Sequence, residues 1–137
     1  DVVASGFFDT LGLYDTCGPR QAQLAREWLA VLGLSARAGE RFDALSFGEQ
    51  RMMLVARAMV KNPPILILDE PCSGLDEANR RRVLELIERI GHETNTQILY
   101  VSHEAEEMPA CITRRLEFRR DAAGHYRLEP TELRPGS

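Results

Sequence analysis

Residues 65–71 read Ile65-Leu66-Ile67-Leu68-Asp69-Glu70-Pro71. Four large apolar residues in a row, two of them β-branched, fit a strand buried on both faces of a parallel sheet. The run stops at two adjacent carboxylates and a proline. Charges at a buried strand end are costly unless solvated or used. Upstream, Asn62, Pro63 and Pro64 break whatever precedes the strand. Downstream, Asp76 caps a helix from about Glu77 to Ile90, with Val83, Leu84, Ile87 and Ile90 as its apolar stripe and Gly91 as its stop. Gln97–Val101 is then a second apolar strand. Strand, helix, strand predicts a βαβ unit with a right-handed crossover. In such sheets ligands bind beyond the carboxyl ends of the strands.

Before this unit, Leu24, Ala25, Trp28, Leu29 and Leu32 recur at helical spacing from Arg20 to Leu32, and Gly33 ends the run. Residues 33–44 read as a short helix or loop. A further helix over 48–61 places Met52, Val55, Ala56 and Met59 on one face. After the unit, a short acidic helix from Glu104 to Met108 stops before Pro109, and Arg115–Arg119 and His125–Glu129 pair as a hairpin around Asp121-Ala122-Ala123-Gly124.

Bulk properties narrow the function. The chain has 137 residues, enough for one domain with a core. A hydrophobic content of 44% and a charged content of 28% place it among globular proteins. A net charge of −4 disfavours broad attraction to nucleic acid. Cys17, Cys72 and Cys111 are odd in number and widely spaced, which argues for reduced thiols rather than a disulfide framework or a metal cluster. No apolar run reaches membrane-spanning length.

Four short motifs carry chemistry. At the first strand end, neighbours in a strand point to opposite faces, so one of Asp69 and Glu70 could hold Mg²⁺ through water while the other faces an attacking water, and a glutamate near a γ-phosphate can orient or deprotonate that water. A solvated strand end explains the same pair without chemistry. At the second strand end, Ser102-His103 offers a hydrogen bond to a phosphate oxygen, or a structural histidine. Between them, Ser73-Gly74-Leu75-Asp76 is a glycine turn with a helix N-cap. Ahead of them, Leu45-Ser46-Phe47-Gly48-Glu49 contains the S-x-x-E capping box, with Ser46 accepting from the Glu49 N–H and Glu49 reaching back to Ser46. A helix mouth with a glycine also presents N–H donors and a dipole suited to phosphate.

The order "LSFGEQR", "ILILDEP", "SGLD", "SH" resembles the second half of an ABC-type ATPase nucleotide-binding domain. The resemblance covers Ala44 to His103 closely and residues 1–43 loosely. It implies an α/β chain with part of a P-loop NTPase (RecA-like) fold: parallel core strands, flanking helices of the helical subdomain, and a carboxyl-terminal β-hairpin. Residues 1–62 would be helical subdomain with the signature motif; residues 63–137 would carry Walker B, D-loop, switch histidine and hairpin. By the same resemblance Glu70 is the catalytic base, His103 the switch histidine, and Asp69 the water-mediated Mg²⁺ ligand. Ser46, Gly48 and Glu49 contact the γ-phosphate of ATP held by a facing cassette, and Asp76 belongs to the D-loop interface. The usual signature reads LSGGQ; Phe47 replaces its first glycine and Glu49 its glutamine.

"SHEAEEMPACITRRLEF" narrows the resemblance to the second cassette of ModF-type tandem ABC proteins, associated by name with molybdate transport or photorepair. ATP and Mg²⁺ are the cofactors this implies. The implied partner is a facing cassette, in tandem or as a dimer, with room for a membrane permease subunit and no direct nucleic acid. The implied place is the cytoplasm, at or near the inner face of the membrane. The chain holds no G-x-x-x-x-G-K-[ST], and its one lysine is Lys61. It therefore reads as the carboxyl half of a cassette, inactive by itself. Two other functions stay open: a DNA-repair or chromosome-maintenance ATPase head, and an interaction domain in which the carboxylates and histidine only cap and solvate.

Overall fold

The computed structural model describes residues 2–8, 17–104, 108–121 and 124–133. Three helices and two small sheets make up the described chain. Helix α1 spans Pro19–Val31, α2 Phe47–Met59 and α3 Glu77–Glu93. Strands β1 (Ile65–Asp69) and β2 (Gln97–Val101) form one sheet; β3 (Arg114–Arg120) and β4 (Tyr126–Glu132) form the other. Between α1 and α2 lie two short 3₁₀ turns, Ser35–Arg37 and Phe42–Ala44. Of the acidic helix expected over 104–108, residues 105–107 lie outside the described residues.

The helices end where their sequences stop supporting them. Pro19 opens α1, where a missing N–H costs nothing. After α1, Gly33 turns left-handed with φ 68°. After α2, Asn62 does the same with φ 49°, and Pro63 and Pro64 prevent return to the helix. Helix α3 overrides its expected stop. Gly91 lies inside it, and Thr94 is the C-cap. A glycine is needed there for packing: a Cβ on Gly91 would come within 2.8 Å of both Cβ and Sγ of Cys111. The glycine is thus a close-approach site, and the helix tolerates its modest propensity cost.

The core lies among the three helices and one face of β1. Leu29 of α1, Met52, Ala56 and Met59 of α2, and Val83, Ile87 and Ile90 of α3 are all buried in it. Leu66 and Leu68 add the inner face of β1, and Ile98 and Tyr100 of β2 lie beside them, partly buried. The α3 stripe runs through Val83, Leu86, Ile87 and Ile90, with Leu84 at its margin.

The expectation that β1 is buried on both faces does not hold. Ile65 is 55% exposed and Ile67 65%. Leu99 and Val101 of β2 continue the same open face. The reason is layer count: among the described residues the helices cover one side of the two-stranded sheet only. An apolar run specifies burial on two sides only where two layers are available to supply it.

Strands β1 and β2 are parallel, paired from Ile65↔Gln97 to Asp69↔Val101. Parallel pairing brings their carboxyl ends side by side, so Glu70 and His103 leave the sheet at the same edge. The antiparallel β3–β4 hairpin runs from Arg114↔Glu132 to Arg120↔Tyr126. Gly124 in its turn takes φ 87°. One face of the hairpin carries Leu116, Phe118, Tyr126 and Leu128, all exposed; the other carries Arg115, Glu117, Arg119 and Glu129, linked by ion pairs.

Candidate active site at the strand ends and helix mouths

At the carboxyl end of β1, Asp69 is exposed and belongs to the open face of the sheet. Glu70 does not continue the pleat. Its backbone is left-handed, with φ 46°. Strand alternation therefore does not set the direction of Glu70, in contrast to the expectation from sequence. Two backbone bonds hold the turn: the Glu70 N–H donates to the Val101 carbonyl at 2.9 Å, and the Ser73 N–H donates to the Glu70 carbonyl at 3.1 Å. A non-glycine residue in this region costs on the order of 1 kcal/mol. The turn points the carboxylate across to the end of β2. There Glu70 Oε1 accepts from the His103 backbone N–H at 3.0 Å and lies 2.7 Å from His103 Nδ1. With Nδ1 on the carboxylate, Nε2 is the second ring nitrogen. Glu104 Oε1 is 3.8 Å from that nitrogen.

The second cluster surrounds the mouth of α2. Ser46 is the N-cap, and the capping box is complete. Glu49 Oε2 accepts from the Ser46 N–H at 2.9 Å, and Ser46 Oγ accepts from the Glu49 N–H at 3.3 Å. Arg37, from the preceding 3₁₀ turn, brings Nε to 3.5 Å from the other oxygen of Glu49. The Ser46 N–H and hydroxyl, with Arg37 adding to them, hold the Glu49 carboxyl below its ordinary range, although partial burial opposes them. Gln50 fixes the approach to the helix: its Nε2 donates to the carbonyls of Phe42 and Leu45, each at 3.1 Å. Arg51 lies over the Phe47 ring at 5.3 Å from its centroid.

Asp76 caps α3 by accepting from the Asn79 N–H at 2.8 Å. The turn before it needs Gly74, whose φ is 74°. This turn meets the mouth of α2 directly. Phe47 sits beside Gly74, and Asn79 lies against Gly48.

The structure thus brings the predicted residues into two groups. Glu70 and His103 touch, with Asp69 adjacent on the chain. Ser46, Gly48 and Glu49 share the α2 mouth, and Asp76 joins them through the first turn of α3. Sequence reasoning missed Asn79, Gln50, Arg37 and the Phe47–Arg51 stack. Only the last carried a sequence signal, since positions i and i+4 share a helix face. Among the described residues, no group of three or more His, Cys, Asp or Glu side chains could form a metal cage. A single exposed carboxylate such as Asp69 fits Mg²⁺ all the same, because that ion keeps most of its waters and is held by one or two carboxylates plus substrate phosphates.

Comparison with known proteins gives a consistent picture. The family model described as ABC transporter matches residues 5–73. The ABC transporter ATP-binding protein ModF of Escherichia coli is 46% identical over 134 residues, covering 97% of this chain and 27% of that protein. The molybdenum import ATP-binding protein ModC of Brucella suis is 41% identical over 92 residues, covering 66% of this chain and 26% of that protein. The chain therefore spans about a quarter of the length of these curated relatives. Among solved structures, the dimeric post-hydrolysis state of the ATP-binding cassette MJ0796, bound to ADP and Pi, aligns with a TM-score of 0.70 at 25% identity. That alignment covers 97% of this chain and 55% of the other. The partial P-loop NTPase fold expected from the sequence is the fold these neighbours share.

Proposed function

Because the chain belongs to the ABC transporter family, we propose that it supplies the signature, Walker B, D-loop and switch-histidine portion of an ATP-hydrolysing cassette. The observation that carries this reading is the Glu70–His103 contact. Two polar side chains from the ends of adjacent parallel strands meet at 2.7 Å, and a left-handed turn at a non-glycine residue is maintained to bring them together.

Glu70 accepts the proton of the attacking water, which requires its carboxylate to be ionised and aimed. His103 holds one carboxylate oxygen through Nδ1 and its own backbone N–H, which fixes that aim. Its Nε2 then reaches toward the phosphate being transferred. Asp69 is the residue that would hold Mg²⁺ through water. When bound, the ion neutralises charge that develops on the phosphate oxygens. Ser46 and the N–H groups at the α2 mouth face a phosphate brought by a second cassette, aided by the helix dipole. The P-loop that holds the bulk of the nucleotide is not encoded in these 137 residues, so it comes from outside them. The names of the relatives favour transport, with molybdenum as the substrate class to try first.

The test is hydrolysis by the intact protein. Glu70→Gln keeps the shape but removes the base. It should lower kcat by at least about 10²-fold, within the usual range for removing a general base, and should trap an ATP-bound closed state. Turnover unchanged by Glu70→Gln would remove Glu70 from this role.

A further inference from the structure

Gly48 has no side chain, yet the space beside its Cα is filled. A Cβ placed there would overlap Cγ and Oδ1 of Asn79 and would lie 2.8 Å from the Asn79 Cβ. Asn79 is not free to withdraw. Its N–H donates to Asp76 Oδ1 at 2.8 Å, and its Nδ2 donates to Asp76 Oδ2 at 3.1 Å. A second contact lies alongside: a Cβ on Gly74 would be 3.5 Å from Cε1 of Phe47. The signature turn and the D-loop turn are thus pressed together at Gly48 and Asn79, and lie side by side at Gly74 and Phe47, where even an added Cβ would make only an ordinary contact.

We infer that Asn79 is a positioning residue that clamps the mouth of α2 to the D-loop turn, so that Ser46 and Asp76 meet the facing cassette as one rigid edge. This rests on the cassette reading of the site and extends it. Asn79 makes no contact with nucleotide in this scheme. It acts through Gly48, whose missing side chain is the socket for its amide. Phe47 lies beside Gly74, at the position where the usual signature has another glycine. A rigid edge matters because small displacements of a phosphate-binding group are expensive in rate.

The contact makes a compensation test available in the intact protein. Asn79→Ala removes the clamp but keeps the backbone N–H that Asp76 caps. It should lower kcat about five- to tenfold, with KM for ATP changed less than about twofold, as expected when positioning rather than nucleotide affinity is lost. Gly48→Ala should lower kcat at least as much, because its methyl collides with Asn79. The double variant Gly48→Ala/Asn79→Ala should exceed Gly48→Ala alone in both kcat and melting temperature, since the collision is gone. If Gly48→Ala does not fold, recovery of folding in the double variant supports the clamp, and failure to recover overturns it. Asn79→Ala within twofold of wild-type kcat, or a double variant no better than Gly48→Ala, also overturns it. A wild-type protein without ATPase activity would instead remove the cassette reading. The four melting temperatures would then still decide whether Asn79 and Gly48 are coupled.

Discussion

At the residue scale, Glu49 shows how one side chain serves two ends. It closes the capping box on Ser46 and takes Arg37 on its other oxygen. Its pKa lies below the ordinary glutamate value, so the charged form is the one the fold favours. A depressed carboxyl contributes stability above its unfolded pKa, and that contribution is lost as pH falls through the folded one. Ser46→Ala should cost about 1 kcal/mol at neutral pH, the usual size of a lost N-cap. Glu49→Ala should show a pH-dependent deficit: full above the ordinary value of about 4.3 and shrinking as the pH is lowered further. Urea unfolding of wild type and both variants across pH 3–7 checks both statements. The box was legible in the sequence because its partners are three residues apart. Asn79 was not, because its partner Gly48 lies on another helix and no local pattern links them. The direction of Glu70 was missed for a related reason. A strand pleat extrapolated one residue too far gives no warning of a left-handed turn.

At the scale of elements, existence and type followed from periodicity, while boundaries followed from tertiary packing. The apolar spacing of α1, α2 and α3 placed each of them. Gly91 was misread as a stop because glycine ends many helices. In α3 it is retained for the approach of Cys111. Gly91→Ala should therefore destabilise by about 1–3 kcal/mol, the cost of overpacking, despite alanine's better helix propensity. Pairing it with Cys111→Ala, which removes Sγ, should recover part of that loss. Thermal unfolding of the single and double variants measures the recovery; an equal loss in both would place the strain elsewhere. The run Ile65–Leu68 announced a strand correctly, but it could not say how many layers would cover it.

For the whole molecule, the open sheet face matters most. Ile65, Ile67, Leu99 and Val101 form an apolar strip beside strand edges that have no partner strand among the described residues. Such edges recruit other strands. The 137 residues expressed alone should self-associate at micromolar concentration, and Ile67→Lys should reduce this. Sedimentation velocity distinguishes the two proteins. The same isolated chain should hydrolyse no ATP, since it lacks a P-loop; magnesium-dependent turnover that Glu70→Gln abolishes would contradict this.

The β3–β4 hairpin stands apart from all of this. Its strands close on a short turn, pair along seven positions and contribute no residue to the buried cluster. Contacts that local form quickly and independently of the rest. The hairpin is therefore a detachable module. A chain ending just before Arg114 should keep the unfolding midpoint of the helical core, and the hairpin's amide protons should exchange with solvent long before those of Val83, Ile87 and Ile90.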